Sequence, residues 1–353
     1  MADKLKVVVC RDLGPDVMPL LLNNPQLDVV VWPHNKACER KWLLENARGA
    51  SGILVMLSEK ACLLLDTAGP KLRVVSTMSV GYEHADLKAL LTRGVRFGYT
   101  PDVLTDAVAD LSVMLALMAG RNAKETTEVW PNFVWSPFAF CGPQLSAISS
   151  DPGASSSPSP SPARTRTAGF IGFGRIAQAT LARLVPFGFQ RCLYAGSART
   201  PPSPAADAAL AARFGVAEVR RVDLAELARE SDVVFVLAPG GPATHHIVDE
   251  AFLKGMKRSA VLVNTARGTL VDSDALAKAL HEGWLYGAGI DVVEGEPNVG
   301  LDHPLVKAPR CIVLPHIGSA TNETRLGMAT LAAKNLLAGL FGQEMPAELG
   351  TSR

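Results

Sequence analysis

Residues Thr167–Ala177 read Thr-Ala-Gly-Phe-Ile-Gly-Phe-Gly-Arg-Ile-Ala and run on into Gln178–Leu184. Ala168–Ile171 is a short apolar run suited to a buried strand. Gly172, Gly174 and Ala177 follow at the spacing G-x-G-x-x-A, and Ala177, Leu181 and Leu184 then recur at helical spacing. A strand, a glycine turn and a helix in that order form the context in which this spacing carries meaning. Gly172 permits the tight turn, Gly174 lets the backbone approach a pyrophosphate, and a small residue at Ala177 lets helix and strand pack closely. N–H groups at the helix start, Arg175 and Ile176 among them, would face an anion where the helix dipole favours negative charge. The stretch therefore predicts a dinucleotide-binding unit.

With 353 residues, the chain is long enough for about two domains, each with its own core. A formal net charge of +1 and the lack of a basic cluster argue against a nucleic-acid surface. No apolar run approaches the roughly 18 residues of a membrane span; the most apolar helical stretch, Leu111–Ala119, is far shorter. Met1-Ala-Asp-Lys leads straight into a strand pattern, so no signal peptide is expected. Six cysteines, Cys10, Cys38, Cys62, Cys141, Cys192 and Cys311, lack paired spacing. They read as reduced thiols of a cytoplasmic protein, with neither a disulfide framework nor a metal site.

Residues 5 to 100 alternate strand and helix patterns. Strands are expected at Leu5–Cys10, Leu27–Trp32, Gly52–Leu57, Leu72–Met78 and Val95–Tyr99, with helices at Pro15–Leu22, Cys38–Ala47, Lys60–Ala68 and His84–Thr92. Near-continuous apolar strands separated by helices imply a parallel sheet covered on both faces. A long helix is expected from Asp102, as N-cap, to about Asn122. Val129–Cys141 carries Trp130, Phe133, Trp135, Phe138 and Phe140; it reads either as a surface loop tucked onto its own core or, in the favoured reading because such a cluster is costly to leave in water, as an arm reaching another subunit. Ala147–Arg166 is Ser/Pro-rich, and its Ser149–Pro162 stretch has no apolar residue to anchor it, so it is expected to be disordered or polyproline-like.

The fingerprint unit continues with strands at Gln190–Ala195, Asp232–Ala238, Ala260–Ala266, Leu285–Val292 and Cys311–Pro315. Helices are expected at Ala205–Phe214, Asp223–Arg229, Asp249–Met256 and Asp274–Glu282, with a final long helix at Thr321–Leu340. The fold class is thus α/β, with two doubly wound parallel-sheet domains. Residues 1–101 plus 318–353 would form a flavodoxin-like substrate domain. Residues 102–317 would form the Rossmann dinucleotide-binding domain, interrupted at 147–166, with two long helices joining them.

Three stretches stand at predicted strand ends, where open α/β sheets hold ligands. Asn264-Thr-Ala-Arg-Gly268 offers Arg267, a planar permanent cation suited to a carboxylate. Asp291-Val-Val-Glu-Gly-Glu-Pro297 offers three acids. Pro315-His-Ile-Gly-Ser-Ala-Thr321 offers His316 just before a helix. The strand before Gly196 ends in Leu193-Tyr-Ala-Gly-Ser-Ala-Arg199 with no acid to hold a ribose 2′-hydroxyl. Ser197 and Arg199 would instead receive a 2′-phosphate, so NADPH is expected over NADH.

Taken in order, these motifs resemble the signature of the D-isomer-specific 2-hydroxyacid dehydrogenases. Val75-Ser-Thr-Met-Ser-Val-Gly81, Gly98–Asp106 and Asn335–Leu340 resemble the animal branch of that family that reduces glyoxylate and hydroxypyruvate. The similarity covers nearly the whole chain except 147–166. It implies NADPH-dependent reduction of glyoxylate to glycolate and of hydroxypyruvate to D-glycerate. Arg267 would bind the substrate carboxylate, His316 would protonate the carbonyl oxygen, and Glu296 would hold His316; Glu294 is not given that role. A neighbouring carboxylate favours the imidazolium form of a histidine. Cofactor contacts are implied at Gly172, Gly174, Arg175, Ile176, Ser197, Arg199, Thr265, Asp291 and Gly318, with Asp291 facing the nicotinamide carboxamide. Val80 and Gly81 N–H groups would hold the substrate carboxylate from the first domain, across an interdomain cleft. Trp135 would shape substrate choice from the partner subunit of a homodimer. Ser197 departs from the arginine of similar sequences. An insertion of about 18 residues adds only a modest closure cost, so activity is expected with the loop projecting outward. Two alternatives stay open: a reductase of another 2-ketoacid, and a corepressor-like NAD(P)-sensing binding module.

Overall fold

The structure is a computed structural model. It describes residues 3–34, 36–56, 64–128, 142, 143, 145, 166–197 and 200–350. These form two compact units, residues 1–104 with 319–353 and residues 105–318. Both units are α/β with all-parallel sheets.

In the first unit, β1 (Leu5–Val9), β2 (Leu27–Val31), β3 (Gly52–Val55), β4 (Val74–Thr77) and β5 (Arg96–Gly98) pair in the order β2-β1-β3-β4-β5. That is the flavodoxin-like order of a doubly wound sheet. Aliphatic runs such as Gly-Ile-Leu-Val in β3 are buried along their whole length, as a sheet covered on both faces demands. Ile53, Val75, Leu90 and Phe97 centre one core. The helix Asn322–Leu340 closes the other face: Leu336 and Leu340 methyls stand 3.0 Å from where a Cβ on Gly52 would be. The fully buried Asn335 donates to the Tyr99 carbonyl at 2.9 Å and accepts from Ala347 N–H at 2.9 Å. A buried amide costs little when its hydrogen bonds are made.

The second unit has seven strands: β6 (Arg166–Ile171), β7 (Phe189–Ala195), β8 (Glu218–Arg221), β9 (Val233–Val236), β10 (Val261–Asn264), β11 (Gly287–Ile290) and β12 (Cys311–Val313). Their order is β12-β11-β10-β9-β6-β7-β8. The strand sequence reverses direction between β6 and β9, the switch point where such sheets open a crevice. Phe170 and Phe235 stack across these two strands with centroids 5.3 Å apart, both fully buried. Helix Arg175–Leu184 packs Ala177, Thr180, Leu181 and Leu184 inward.

Four details differ from the sequence reading. The long helix runs Thr105–Gly120, so Asp102 is not its N-cap; Asp102 instead adopts φ +70° three residues earlier. Arg166, read as the end of the Ser/Pro-rich insertion, is the first residue of β6 and pairs with Phe189. Strand β8 was not anticipated, because Glu-Val-Arg-Arg is short and mostly charged, as suits a sheet edge. The short helices Ala123–Glu128 and Pro304–Lys307 were also missed. The aromatic arm around Trp135, the rest of the 147–166 insertion, and Arg199 lie outside the described residues.

Candidate active site

The glycine turn has the shape that its spacing predicts. Gly172 sits at φ +85°, and a Cβ there would lie 2.7 Å from Ala238 Cα. Only glycine meets both demands. Gly174 is the N-cap of helix Arg175–Leu184 and makes no side-chain cap, and no atom lies within 4 Å of where its Cβ would stand. Open space beside the first turn, which holds Arg175 and Ile176, fits a cradle for the phosphates of a dinucleotide.

Beyond β7 the chain carries Ser197 into a loop that Arg221 braces from the end of β8. The Arg221 guanidinium donates to the carbonyls of Gly196 at 3.2 Å, Ser197 at 2.8 Å and Thr200. This cation was not singled out from the sequence, since β8 itself was not recognised. Just before the loop, Tyr194 donates to Asp207 at 2.7 Å, and burial together with that carboxylate pushes its phenol up to about 12.

The chemical groups stand on the adjacent ends of β10, β11 and β12. Asn264, fully buried, closes the turn after β10: its Nδ2 donates to Arg267 O at 2.9 Å and its Oδ1 accepts from Ala266 N–H at 3.1 Å. This fixes the backbone from which Arg267 projects, half-buried, with Nη1 on the Ala266 carbonyl at 2.7 Å. Thr265 Oγ1 lies 2.8 Å from Ser112 Oγ. Gly268 lies so near the backbone of Val293 and Glu294 that any Cβ would overlap it.

Asp291 follows β11 and is 1 % exposed. Its Oδ1 accepts from Ile317 N–H and its Oδ2 from Gly318 N–H, each at 2.8 Å, while its carbonyl accepts from His316 N–H at 2.8 Å. Burial pushes its carboxyl up and Glu296 adds to that push, whereas the two amides and His316 pull it down. These three bonds hold His316 at φ +56°, a left-handed conformation that costs about 1–3 kcal/mol unless its surroundings fix it. His316 Nδ1 is 3.0 Å from Glu296 Oε1. With Nδ1 on the carboxylate, Nε2 is the ring atom left to donate to a substrate oxygen.

The structure therefore brings His316, Glu296, Asp291 and Gly318 into one hydrogen-bonded group, with Arg267 on the neighbouring strand end. Glu294 bonds His246 instead, Nε2 to Oε1 at 2.9 Å. Asn264 lay inside a quoted motif, yet its role as a clamp needed the fold. Val80 and Gly81 lie in the first unit after β4, where Ser79 Oγ donates to Gly81 O at 2.5 Å and Ser79 O accepts from Thr100 N–H at 2.8 Å.

The family profile described as "D-isomer specific 2-hydroxyacid dehydrogenase, NAD binding domain" matches residues 149–318. Over 349 residues the chain is 40% identical to the human glyoxylate reductase/hydroxypyruvate reductase, covering 98% of each protein. The chain belongs to the D-isomer-specific 2-hydroxyacid dehydrogenases. Among solved structures of related sequence, the TT0316 protein of Thermus thermophilus superposes with a TM-score of 0.81 at 35% identity, over 98% of this chain and all of that one. An NADPH-dependent glyoxylate/hydroxypyruvate reductase of Sinorhizobium meliloti, solved with NADP and malonate, superposes with a TM-score of 0.72 at 28% identity, over 99% of this chain and 97% of that one. Membership makes this protein an oxidoreductase with a nicotinamide dinucleotide as cofactor. Among the described residues no helix is long and apolar enough to cross a membrane.

Proposed function

We propose that the protein reduces glyoxylate to glycolate and hydroxypyruvate to D-glycerate with NADPH. The observation that carries this reading is the Glu296–His316 pair at 3.0 Å, held by Asp291 after the ends of β11 and β12, with Arg267 after the end of β10 beside them in the sheet. A bound nicotinamide supplies the hydride. His316 gives its Nε2 proton to the carbonyl oxygen, and Glu296 orients the ring and balances its charge. Arg267 binds the substrate carboxylate through its planar fork. The Val80 and Gly81 N–H groups are assigned to the same carboxylate.

Gly172, Gly174, Arg175 and Ile176 are assigned to the cofactor phosphates. Thr265, Gly318 and Asp291 are assigned to the nicotinamide end. For Asp291 that role adds to its grip on two amides, since an ionised carboxylate has about four acceptor sites. Ser197 and Arg199 are assigned to the 2′-phosphate. Support for NADPH comes from the absence of an acid after β7 and from the Arg221 guanidinium beside Ser197. A homodimer, with Trp135 at the partner's site, is part of the reading, as is a cytoplasmic location, for which the buried free thiols Cys10, Cys192 and Cys311 speak.

Purified protein should oxidise NADPH in the presence of either ketoacid, with a higher kcat/KM than with NADH. A preference for NADH would overturn the cofactor assignment. Turnover no greater than that of Arg267→Ala would overturn the enzyme reading. Sedimentation as a monomer would remove the role of Trp135.

A further inference from the structure

The geometry points to a site for a divalent transition metal, of the zinc class, formed by His245, His246 and Glu294. One donor atom from each of these residues lies within 4.8 Å of the other two. Glu294 Oε1 stands 2.9 Å from His246 Nε2 and 3.7 Å from His245 Nε2. Tetrahedral zinc with bonds of about 2.0–2.2 Å needs donors roughly 3.4 Å apart, so the widest pair of the set exceeds that spacing by at most about 1.4 Å.

Adjacent side chains on an extended backbone point to opposite sides. Here His246 adopts φ +49°, which turns its ring onto that of His245; the centroids are 3.9 Å apart and the planes 26° from parallel. The backbone of His246 is itself held, N–H to Thr269 O at 2.9 Å. Behind the ring, His246 Nδ1 faces Asp272 Oδ2 at 3.9 Å, while Asp272 Oδ1 is fixed on Ala275 N–H. A carboxylate behind a ligating imidazole is the outer-shell partner that orients such ligands. All three donor side chains are open to solvent, between 31% and 55% exposed, so a metal has a path in.

Two imidazoles and one carboxylate suit zinc, nickel or copper(II) and disfavour magnesium and calcium, which take oxygen ligands. Three protein ligands leave a fourth position for water. The bound ion would tie the His245–His246 turn to the Val293–Glu294 segment, the backbone against which Gly268 packs.

The test uses full-length protein freed of metal with a chelator and titrated calorimetrically with Zn²⁺, with copper(II) as a spectroscopic probe. One equivalent of Zn²⁺ should bind per chain and raise the melting temperature, because a ligand of the native state stabilises it. The copper(II) resonance spectrum should show two nitrogen ligands. His245→Gln, His246→Asn and Glu294→Gln should each abolish both the stoichiometric binding and the thermal shift while keeping the melting temperature of the metal-free protein; asparagine tolerates the left-handed backbone at 246. No saturable binding, or binding that survives in any one of the three variants, overturns the site.

Discussion

Asp291 Oδ2 receives the backbone N–H of Gly318 at 2.8 Å, across 27 positions of sequence. Its other oxygen takes Ile317 N–H, so one carboxylate shapes the turn that presents His316. Asp291→Ala would leave two N–H groups without this acceptor, each worth about 1–3 kcal/mol when buried and unmet. That loss is expected to exceed the relief of removing a buried charge. The variant should melt lower than wild type and lose kcat while still folding. Thermal melts and single-substrate kinetics check this; an unchanged melting temperature would mean that the turn holds itself.

Gly268 allows two strand ends to meet. A methyl group there would overlap the Val293 carbonyl and Glu294 N, which are backbone atoms that cannot rotate away. Gly268→Ala is expected to cost about 1–3 kcal/mol or more. It should also shift the neighbouring Arg267, raising KM for the ketoacid more than for the dinucleotide. Urea unfolding and separate KM determinations for the two substrates measure both effects.

Much of this arrangement was legible in the residues. Buried parallel strands read as apolar runs because water is excluded from both faces, as in Val233–Val236 and Val261–Asn264. Helix starts were visible where an aspartate caps, as Asp223 and Asp249 do. Asp102 misled because an acid after proline is also compatible with an irregular turn, and its left-handed backbone delays the helix to Thr105. Strand β8 was hidden because an edge strand needs little apolar surface. At the site, three motifs announced Arg267, Glu296 and His316. The double engagement of Asp291, the brace of Arg221 and the proximity of His246 to Glu294 depend on positions 21 to 48 residues apart meeting in space, and no local pattern encodes them.

Glu218 on β8 lies between Arg191 at 2.9 Å and Arg220 at 2.7 Å. Its hydrogen bond from Arg191 is the chief cause that lowers its carboxyl below the usual range, against the opposing cost of burial. A carboxyl with a depressed native value stabilises the fold above its unfolded value, about 4.3, and loses that contribution as pH falls through the native one. The side chains are about a third exposed, so the contribution should be at most about 1 kcal/mol and should fall with salt. The stability gap between wild type and Glu218→Gln should be present at neutral pH and shrink below about pH 4. Denaturant titrations across that range check it, and a gap independent of pH would contradict it.

In the proposed reaction His316, oriented by Glu296, protonates the carbonyl oxygen while Arg267 holds the carboxylate. The most direct measurement is the kcat of hydroxypyruvate reduction by NADPH in His316→Gln, alongside the Kd of NADPH for the same variant. The expected result is a fall in kcat on the order of 10² to 10⁴ with NADPH binding unchanged. A kcat within about tenfold of wild type would contradict it.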